Sequence, residues 1–458
     1  MGKIKIGFIV LISIALVGLI LSGVVKAKPE NPKGEYVQDE IIVKFKGDAE
    51  PFRVIKVPEG QVIEKVKAYQ QRANVEYVEP NYRIFALGSN DKYYLNQWAL
   101  HNEGQEIYNK QVLDCLEGES NRDYCCVQKG AICFKGALDA DMDWEEAWTV
   151  FGTETFATTV IAIIDSGIDE THPDLKNKLV TGRNFVNDNN PPHDIYGHGT
   201  HVTGIAAAET DNSKGIAGVA FSANIKIMPV KVLNDDGMGT TANVAKGIMY
   251  AADKGAKAIN LSLGGRDSIT LKDAVDYAYD KGALLAAAAG NDGGSRKYYP
   301  ASYPNVISVA ATDYNDKRAS FSNFNSEIDV SAPGVNVFST FPTYDFTIGI
   351  KYGRSKNYDV GSGTSMSVPQ VVGLAGLLFA QDSNRDNVKV RAIIEETADD
   401  QGVLGWDKYF GWGRINVNAA LNYVPGTAPA PTCIVVPGKC NCNGKCGPNE
   451  TSVCADCP

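Results

Sequence analysis

Five short apolar runs are spread through the middle of this chain: TVIAIIDSG (159–167), IKIMPVKVL (225–233), AKAINLSLG (256–264), ALLAAAAGN (283–291) and VISVAAT (306–312). Each is rich in β-branched residues or alanine. Between them lie GHGTHVTGIAAAE (197–209), TANVAKGIMYAADKG (241–255) and SITLKDAVDYAYDKG (268–282), whose apolar residues recur at helical spacing. Strands that alternate with helices pair in parallel, because each helix carries the chain back across the sheet. An α/β fold follows, with a mostly parallel central sheet and helices on both faces. In such a sheet, functional groups gather at the carboxyl ends of the strands.

The 458 residues exceed one ordinary domain, and 44% hydrophobic with 21% charged residues is a globular balance. A net charge of -10 and the lack of long basic runs exclude nucleic acid as the main partner.

Residues 1–27 carry two early lysines, Lys3 and Lys5, an apolar run over 6–25, and a small-residue cleavage site at Val25-Lys26-Ala27. That is the layout of a secretory signal. Left uncleaved, a run of about 20 residues spans a bilayer, so a membrane is a partner only in that case. Both readings put the rest of the chain outside the cytosol, secreted or at the cell surface. Ten cysteines fall in two clusters, Cys115, Cys125, Cys126 and Cys133, then Cys433, Cys440, Cys442, Cys446, Cys454 and Cys457. Behind a secretory signal they are expected in disulfides, with pairing left open.

Residues 28–88 read as a small α+β unit, with strands at DEIIVKFK and VEYVEPNYRIFA around a helical EGQVIEKVKAYQQRA. Residues 89–424 hold the strand–helix alternation. A Pro-rich linker (425–432) leads to a tail (433–458) with six cysteines and almost no large apolar residues, which needs covalent or metal staples. Asn449-Glu450-Thr451 on that tail is a glycosylation sequon.

Three residues stand where chemistry is expected. Asp165 ends the first apolar run, His198 lies in glycine-bracketed GHGTHVTG, and Ser365 precedes a long helix in GSGTSMSVPQVVGLAGLLFA. Singly, each has a plain reading: a helix-capping Asp, a core His, an N-cap Ser. A metal site at His198 and His201 would call for i,i+4 spacing with a Glu, and the spacing here is i,i+3 with Gly and Thr between.

Together, in the order Asp, His, Ser, these motifs resemble the subtilase family of subtilisin-like serine proteases. IAIIDSGIDETHPDL, GHGTHVTG and GTSMSVPQVVG resemble its three catalytic motifs, with Ser367, Val368 and Gln370 departing after the nucleophile. AINLSLGG, AAAAGNDG and GWGRINVNAAL occupy their expected places. The resemblance implies a three-layer subtilisin-like fold over 89–424, preceded by an inhibitory propeptide (28–88) cleaved near Leu87 or Gly88, and followed by the Cys-rich tail. It implies Ser365 as nucleophile, His198 as base, Asp165 as its orienting carboxylate and Asn291 as oxyanion donor, with His201 structural. It implies that Ser262, Leu263 and Gly264 pair with an extended polypeptide substrate. Calcium is implied at Asp174, Asn212 and Asp91, with carbonyls of Glu209 (or Thr210), Lys214 and Ile216. A second cation is implied near Pro304, Val306 and Asp329.

The expectation is thus a secreted, self-maturing, monomeric serine endopeptidase. Its own propeptide is its intramolecular inhibitor. Residues 105–136, with four cysteines, are an insertion in the family pattern. Asp292, beside Asn291, is placed on the rim of the pocket for the residue before the cut. The alternatives are a catalytically dead peptide-binding relative, which should lack a triad member, and an adhesion protein driven by the tail. A lipase-like hydrolase needs G-x-S-x-G and the reverse order, which this chain lacks.

Overall fold

The computed structural model describes residues 36–86, 97, 99–100, 102, 106–107, 134–135, 137, 140–212 and 214–424. The signal segment, Asp91, the Leu87–Gly88 junction, most of the insertion, the linker, the tail and all ten cysteines lie outside the described residues.

The chain begins with β1 (Tyr36–Phe45), β2 (Arg53–Lys56), α1 (Val62–Gln70) and β3 (Val75–Ala86). Two short strands, β4 (Glu106–Ile107) and β5 (Phe134–Lys135), pair antiparallel and bring the ends of the insertion together. There follow α2 (Trp144–Phe151), β6 (Thr159–Asp165), β7 (Arg183–Asn184), α3 (His198–Ala207), β8 (Ile225–Lys231), β9 (Met238–Thr240) and α4 (Thr241–Asp253). Next are β10 (Ala258–Leu261), β11 (Leu263–Gly264), α5 (Ile269–Asp280), β12 (Leu284–Ala288), β13 (Val306–Thr312), β14 (Val330–Pro333) and β15 (Val337–Thr340). The last elements are α6 (Thr347–Tyr352), β16 (Tyr358–Gly361), α7 (Thr364–Gln381), α8 (Asn387–Glu396) and α9 (Val417–Leu421).

Seven strands form the central sheet in the order β14-β13-β12-β10-β6-β8-β7, every neighbour parallel. All five apolar runs read from sequence contribute to it. The period of two on β6 divides two cores: Ile161 and Ile163 pack with α3 and α7, while Ala162 and Ile164 pack with α4 and α5. Helix–sheet–helix is therefore the expected three-layer arrangement. Helix α7 is apolar on every side and buried from Thr364 to Ala380, so it runs through the core instead of along the surface. Caps set the helix starts: Thr240, Ser268 and Asp386 accept from backbone N–H groups of α4, α5 and α8.

The N-terminal unit has its own core, with Ile41 and Val43 of β1 on Val62 and Val66 of α1. Its sheet does not stop at its edge. Strand β3 pairs with β1 and continues antiparallel onto β9 and β11 of the larger unit. Among the described residues no helix is long and apolar enough to cross a membrane.

Candidate active site

Asp165 is the last residue of β6, His198 the first of α3 and Ser365 the second of α7. One strand end and two helix starts thus meet at the carboxyl edge of the sheet. Glycine permits both helix starts: Gly197 has φ 104° and Gly363 has φ 152°, values that side chains rarely adopt. Gly363, and not Ser365, is the N-cap of α7, which leaves the serine hydroxyl free of a capping duty.

The His198 Nδ1–H donates to Asp165, 2.8 Å from Oδ1 and 3.0 Å from Oδ2. That bond fixes the tautomer and leaves the lone pair of the neutral ring on Nε2. Nε2 is buried and has no hydrogen-bond partner. The Ser365 Oγ donates 3.2 Å to the Ser262 carbonyl, and Ser262 Oγ returns a bond of 2.8 Å to the Ser365 carbonyl. In this state serine and histidine are therefore not hydrogen-bonded to each other. Such bonds commonly tighten only when substrate is engaged.

The two histidines differ electrostatically. Burial works against charge on His198, but the Asp165 charge and hydrogen bond outweigh it and raise its pKa. His201 is wholly buried with Phe341 4.6 Å from its ring, and burial and His198 push it down to about 3. It is a neutral packing residue. No cluster of metal-ligating groups among the described residues includes either histidine.

Asn291 follows β12, where Thr364 N and Oγ1 donate to its Oδ1 at 2.9 and 3.1 Å. The amide is held by its oxygen end. Neighbouring Asp292 is exposed, with its N–H on Asn323 Oδ1 at 2.8 Å. Leu263 pairs with Ala86 and Gly264 with Phe85, so a chain segment already lies along the expected substrate strand.

Sequence reading missed how that segment is anchored. The Glu79 carboxylate accepts from Ile269 N and Thr270 N at 3.0 Å each, and from the Ser268 hydroxyl. Asn81 Oδ1 accepts from Ala242 N at 3.1 Å. Two residues apart on β3, they share one face and cap the N-termini of α5 and α4, where negative charge is favoured. The signal was an acid and an amide at i,i+2 on one face of the strand.

Of the expected calcium ligands, Asp174, Asn212 and Ile216 come together. Asp174 is fully buried and accepts from Asn212 Nδ2 (2.8 Å), Ile216 N (2.9 Å) and the Tyr358 hydroxyl (3.0 Å). Glu209 N donates to the Asp174 carbonyl, and Lys214 N to Asn212 Oδ1. A buried carboxylate with no Lys or Arg partner among the described residues, wrapped by a turn, fits a hard cation. Asn212 turns its nitrogen toward Asp174, and would have to present its oxygen to an ion.

The second expected cation site is corrected. Arg391 donates to the Pro304 carbonyl at 2.8 Å and to Asp329 Oδ1 at 2.6 Å, so a guanidinium already supplies the positive charge there. Asp141, Asp143 and Glu146 also bring carboxylate oxygens within 4.8 Å of one another. Asp141 is engaged by the N–H groups of Asn102 and Asp143, and Asp143 accepts from Asn416.

Comparison with known proteins agrees with this geometry. Residues 157–413, more than half of the chain, match the subtilase family, and residues 48–81 match the fervidolysin N-terminal prodomain. The chain is 40% identical over 417 residues to a thermophilic serine proteinase of Bacillus sp. (strain AK1), covering 85% of this chain and 89% of that one. It is 47% identical over 264 residues to thermitase of Thermoactinomyces vulgaris, covering 57% and 88%. The crystal structure of fervidolysin from Fervidobacterium pennivorans, a keratinolytic enzyme related to subtilisin, superposes with TM-score 0.64 at 28% identity, over 86% of this chain and 62% of that one. The chain belongs to the subtilase family: it is a serine endopeptidase with an N-terminal prodomain ahead of its catalytic domain.

Proposed function

We propose that Ser365 is the nucleophile of this protease, His198 its general base and Asp165 the group that orients His198. The observation that carries the reading is the buried Asp165–His198 pair, with an unpartnered Nε2 at the only face of the ring not already committed. Nε2 takes the Ser365 proton as Oγ attacks the scissile carbonyl, and returns it to the leaving amine. Asp165 stabilises the imidazolium that forms in between. The Asn291 amide and the Ser365 N–H stabilise the oxyanion, donors already set before charge develops. Water then hydrolyses the acyl-enzyme.

The substrate is an extended polypeptide that adds a strand between β9 and β11, as β3 does. Ala86 pairs with Leu263, so the next residue in that register reaches Ser262 and the Ser365 hydroxyl. Maturation is therefore proposed near Leu87 or Gly88. The prodomain inhibits by filling the substrate strand while Glu79 and Asn81 hold it to α5 and α4. Secretion is proposed from the N-terminal segment, with residues 28–88 removed on maturation and a monomer as product.

A serine-directed phosphonate tests the nucleophile. Mature enzyme is expected to take up one equivalent on Ser365, found by peptide mass spectrometry, with activity lost in step. Full inactivation with the label on another residue would refute the assignment.

Calcium is proposed at Asp174, Asn212 and the carbonyls of Glu209, Lys214 and Ile216, together with Asp91. Bound there, it would balance the buried Asp174 charge and staple the loop after α3 to the strand side of the site. A ligand specific for the folded state adds about 2.7 kcal/mol at 100 times its Kd. Melting a proteolytically inert Ser365→Ala chain in calcium and in chelator is expected to show a clear drop in Tm on chelation. Equal melting temperatures would remove the calcium site.

A further inference from the structure

We infer that the loop 402–412 is the seat on which this chain's own Cys-rich tail docks, through Ile434, Val435 and Val436. The loop lies between α8 and α9 and turns large apolar side chains outward. Leu404 is 80% and Val403 70% exposed, and Trp406, Tyr409 and Trp412 on the same loop are exposed as well. Exposed apolar residues scattered singly call for no explanation, but several gathered on one loop mark a surface that something else covers. Tryptophan and tyrosine are also among the side chains that carry most of the energy of a contact.

The loop is tied to itself and to the domain, so its apolar groups do not fold back into the core. The Asp407 carboxylate accepts from Val403 N at 3.0 Å, Tyr409 N at 2.7 Å and Phe410 N at 3.0 Å. The Asp407 N–H and carbonyl both bond with Gly411, and Asp400 accepts from Gly405 N at 2.6 Å. Trp406 and Trp412 are anchored on consecutive residues: Trp406 Nε1–H donates 2.8 Å to the Ile328 carbonyl, and Trp412 N donates 2.8 Å to that of Asp329. Tyr409 packs with its ring 5.0 Å from that of Phe324, and Arg318 and Lys408 lie over both rings. A surface already ordered in this way offers apolar contact at little cost in lost freedom.

Reach and composition select the tail as the occupant. The Tyr423 hydroxyl donates 2.6 Å to Glu396, the last residue of α8, from which the chain runs on into the loop. Seven residues lead from Glu396 to Val403, a distance of at most about 25 Å even fully extended. Ten lead from Val424 to Ile434, most of them in the Pro-rich linker, and at about 3.1 Å each they span about 31 Å. Ile434, Val435 and Val436 follow as the tail's only run of large apolar residues. A piece with six cysteines and no core of its own gains most from an apolar surface that the domain supplies. Its charges, Lys439, Lys445, Glu450 and Asp456, cancel, so apolar contact and not ion pairing holds it. A second copy of the chain is a poorer fit, because a stable dimer buries about 20–30 residues a side and this loop offers far fewer. Tethering removes that demand, since a flexible linker supplies an effective concentration of about 1 mM.

Photo-cross-linking of the full-length, proteolytically inert Ser365→Ala chain tests the inference, with Leu404 replaced by benzoylphenylalanine. The expected product has the mass of a single chain and joins position 404 to the peptide that holds Ile434–Val436, found by mass spectrometry after reduction. A cross-link between two chains would assign the loop to a second copy and overturn the inference, as would a cross-link to any other segment or none at all. Hydrogen exchange reads the size of the effect. A contact with a Kd of about 0.1 mM, met at about 1 mM effective concentration, is closed about ten times as often as open. The amides of 402–412 are therefore expected to exchange about tenfold more slowly in the Ser365→Ala chain than in the same chain carrying Ile434→Ser, Val435→Ser and Val436→Ser. Equal exchange in the two would also overturn it. Leu404 is exposed and the three serines lie beyond the catalytic domain, so neither set of changes burdens the core.

Discussion

Ser365→Ala is expected to remain one uncut chain, with the prodomain still in place after purification. In the proposed mechanism maturation is the enzyme's own acyl transfer, and among the described residues Ser365 is the nucleophile at the substrate strand. Removing the nucleophile of a Ser-His-Asp triad lowers kcat by a factor on the order of 10⁶. At that rate no maturation is visible in a laboratory preparation. The prodomain also has no reason to leave, because Glu79 and Asn81 keep their bonds to the starts of α5 and α4. Intact mass and N-terminal sequencing read the outcome directly. A mature-length product formed by the pure variant in protease-free buffer, at a rate independent of its concentration, would mean that Ser365 is not the nucleophile of maturation.

His198→Ala is expected to be as inert as Ser365→Ala, while His201→Ala keeps measurable turnover and melts at lower temperature. The two rings are three residues apart and equally buried, so only their partners separate them. His198 has Asp165 on one nitrogen and the serine side of the cleft on the other. His201 packs on Phe341 and stays neutral, so its loss opens a cavity worth about 1–3 kcal/mol and removes no proton acceptor. The pH profile of the wild type carries the same signature. Turnover needs neutral His198, and its pKa is raised, so kcat/KM is lost as pH falls through a midpoint above the ordinary histidine value of about 6.5. Asp165→Asn takes away the charge that raises it and should move that midpoint down. Equal loss of activity in both histidine variants would reject the base assignment, and an acid limb below the ordinary histidine value would contradict the raised pKa.

Much of the fold was legible because it is written in local patterns. The runs at 159–167, 225–233 and 306–312 are β-branched and closely bounded by turns, and each forms a strand of the parallel sheet. Helices α3, α4 and α5 begin within a residue or two of their caps or glycine signals. The short elements were not legible. Strands β14, β15 and β16 have four residues each, too few for periodicity to register, and α6 has no buried residue to mark a face.

The sequence by itself determined the chemistry on offer: an aspartate at a strand end, a histidine and a serine at glycine-led helix starts, and an asparagine after an alanine strand. Residue type and the short turns around it suffice for that, because each motif is local. Only the tertiary structure decided which partners those groups receive. Nothing near Arg391 in sequence says that its guanidinium fills the place expected for a second metal, because Pro304 and Asp329 reach it from 87 and 62 residues away. Nothing near Tyr196 says that it abuts Gly237, or that a helix some 150 residues later holds it there. Contacts between distant segments are set by how the layers close around the sheet, and no local pattern carries that information.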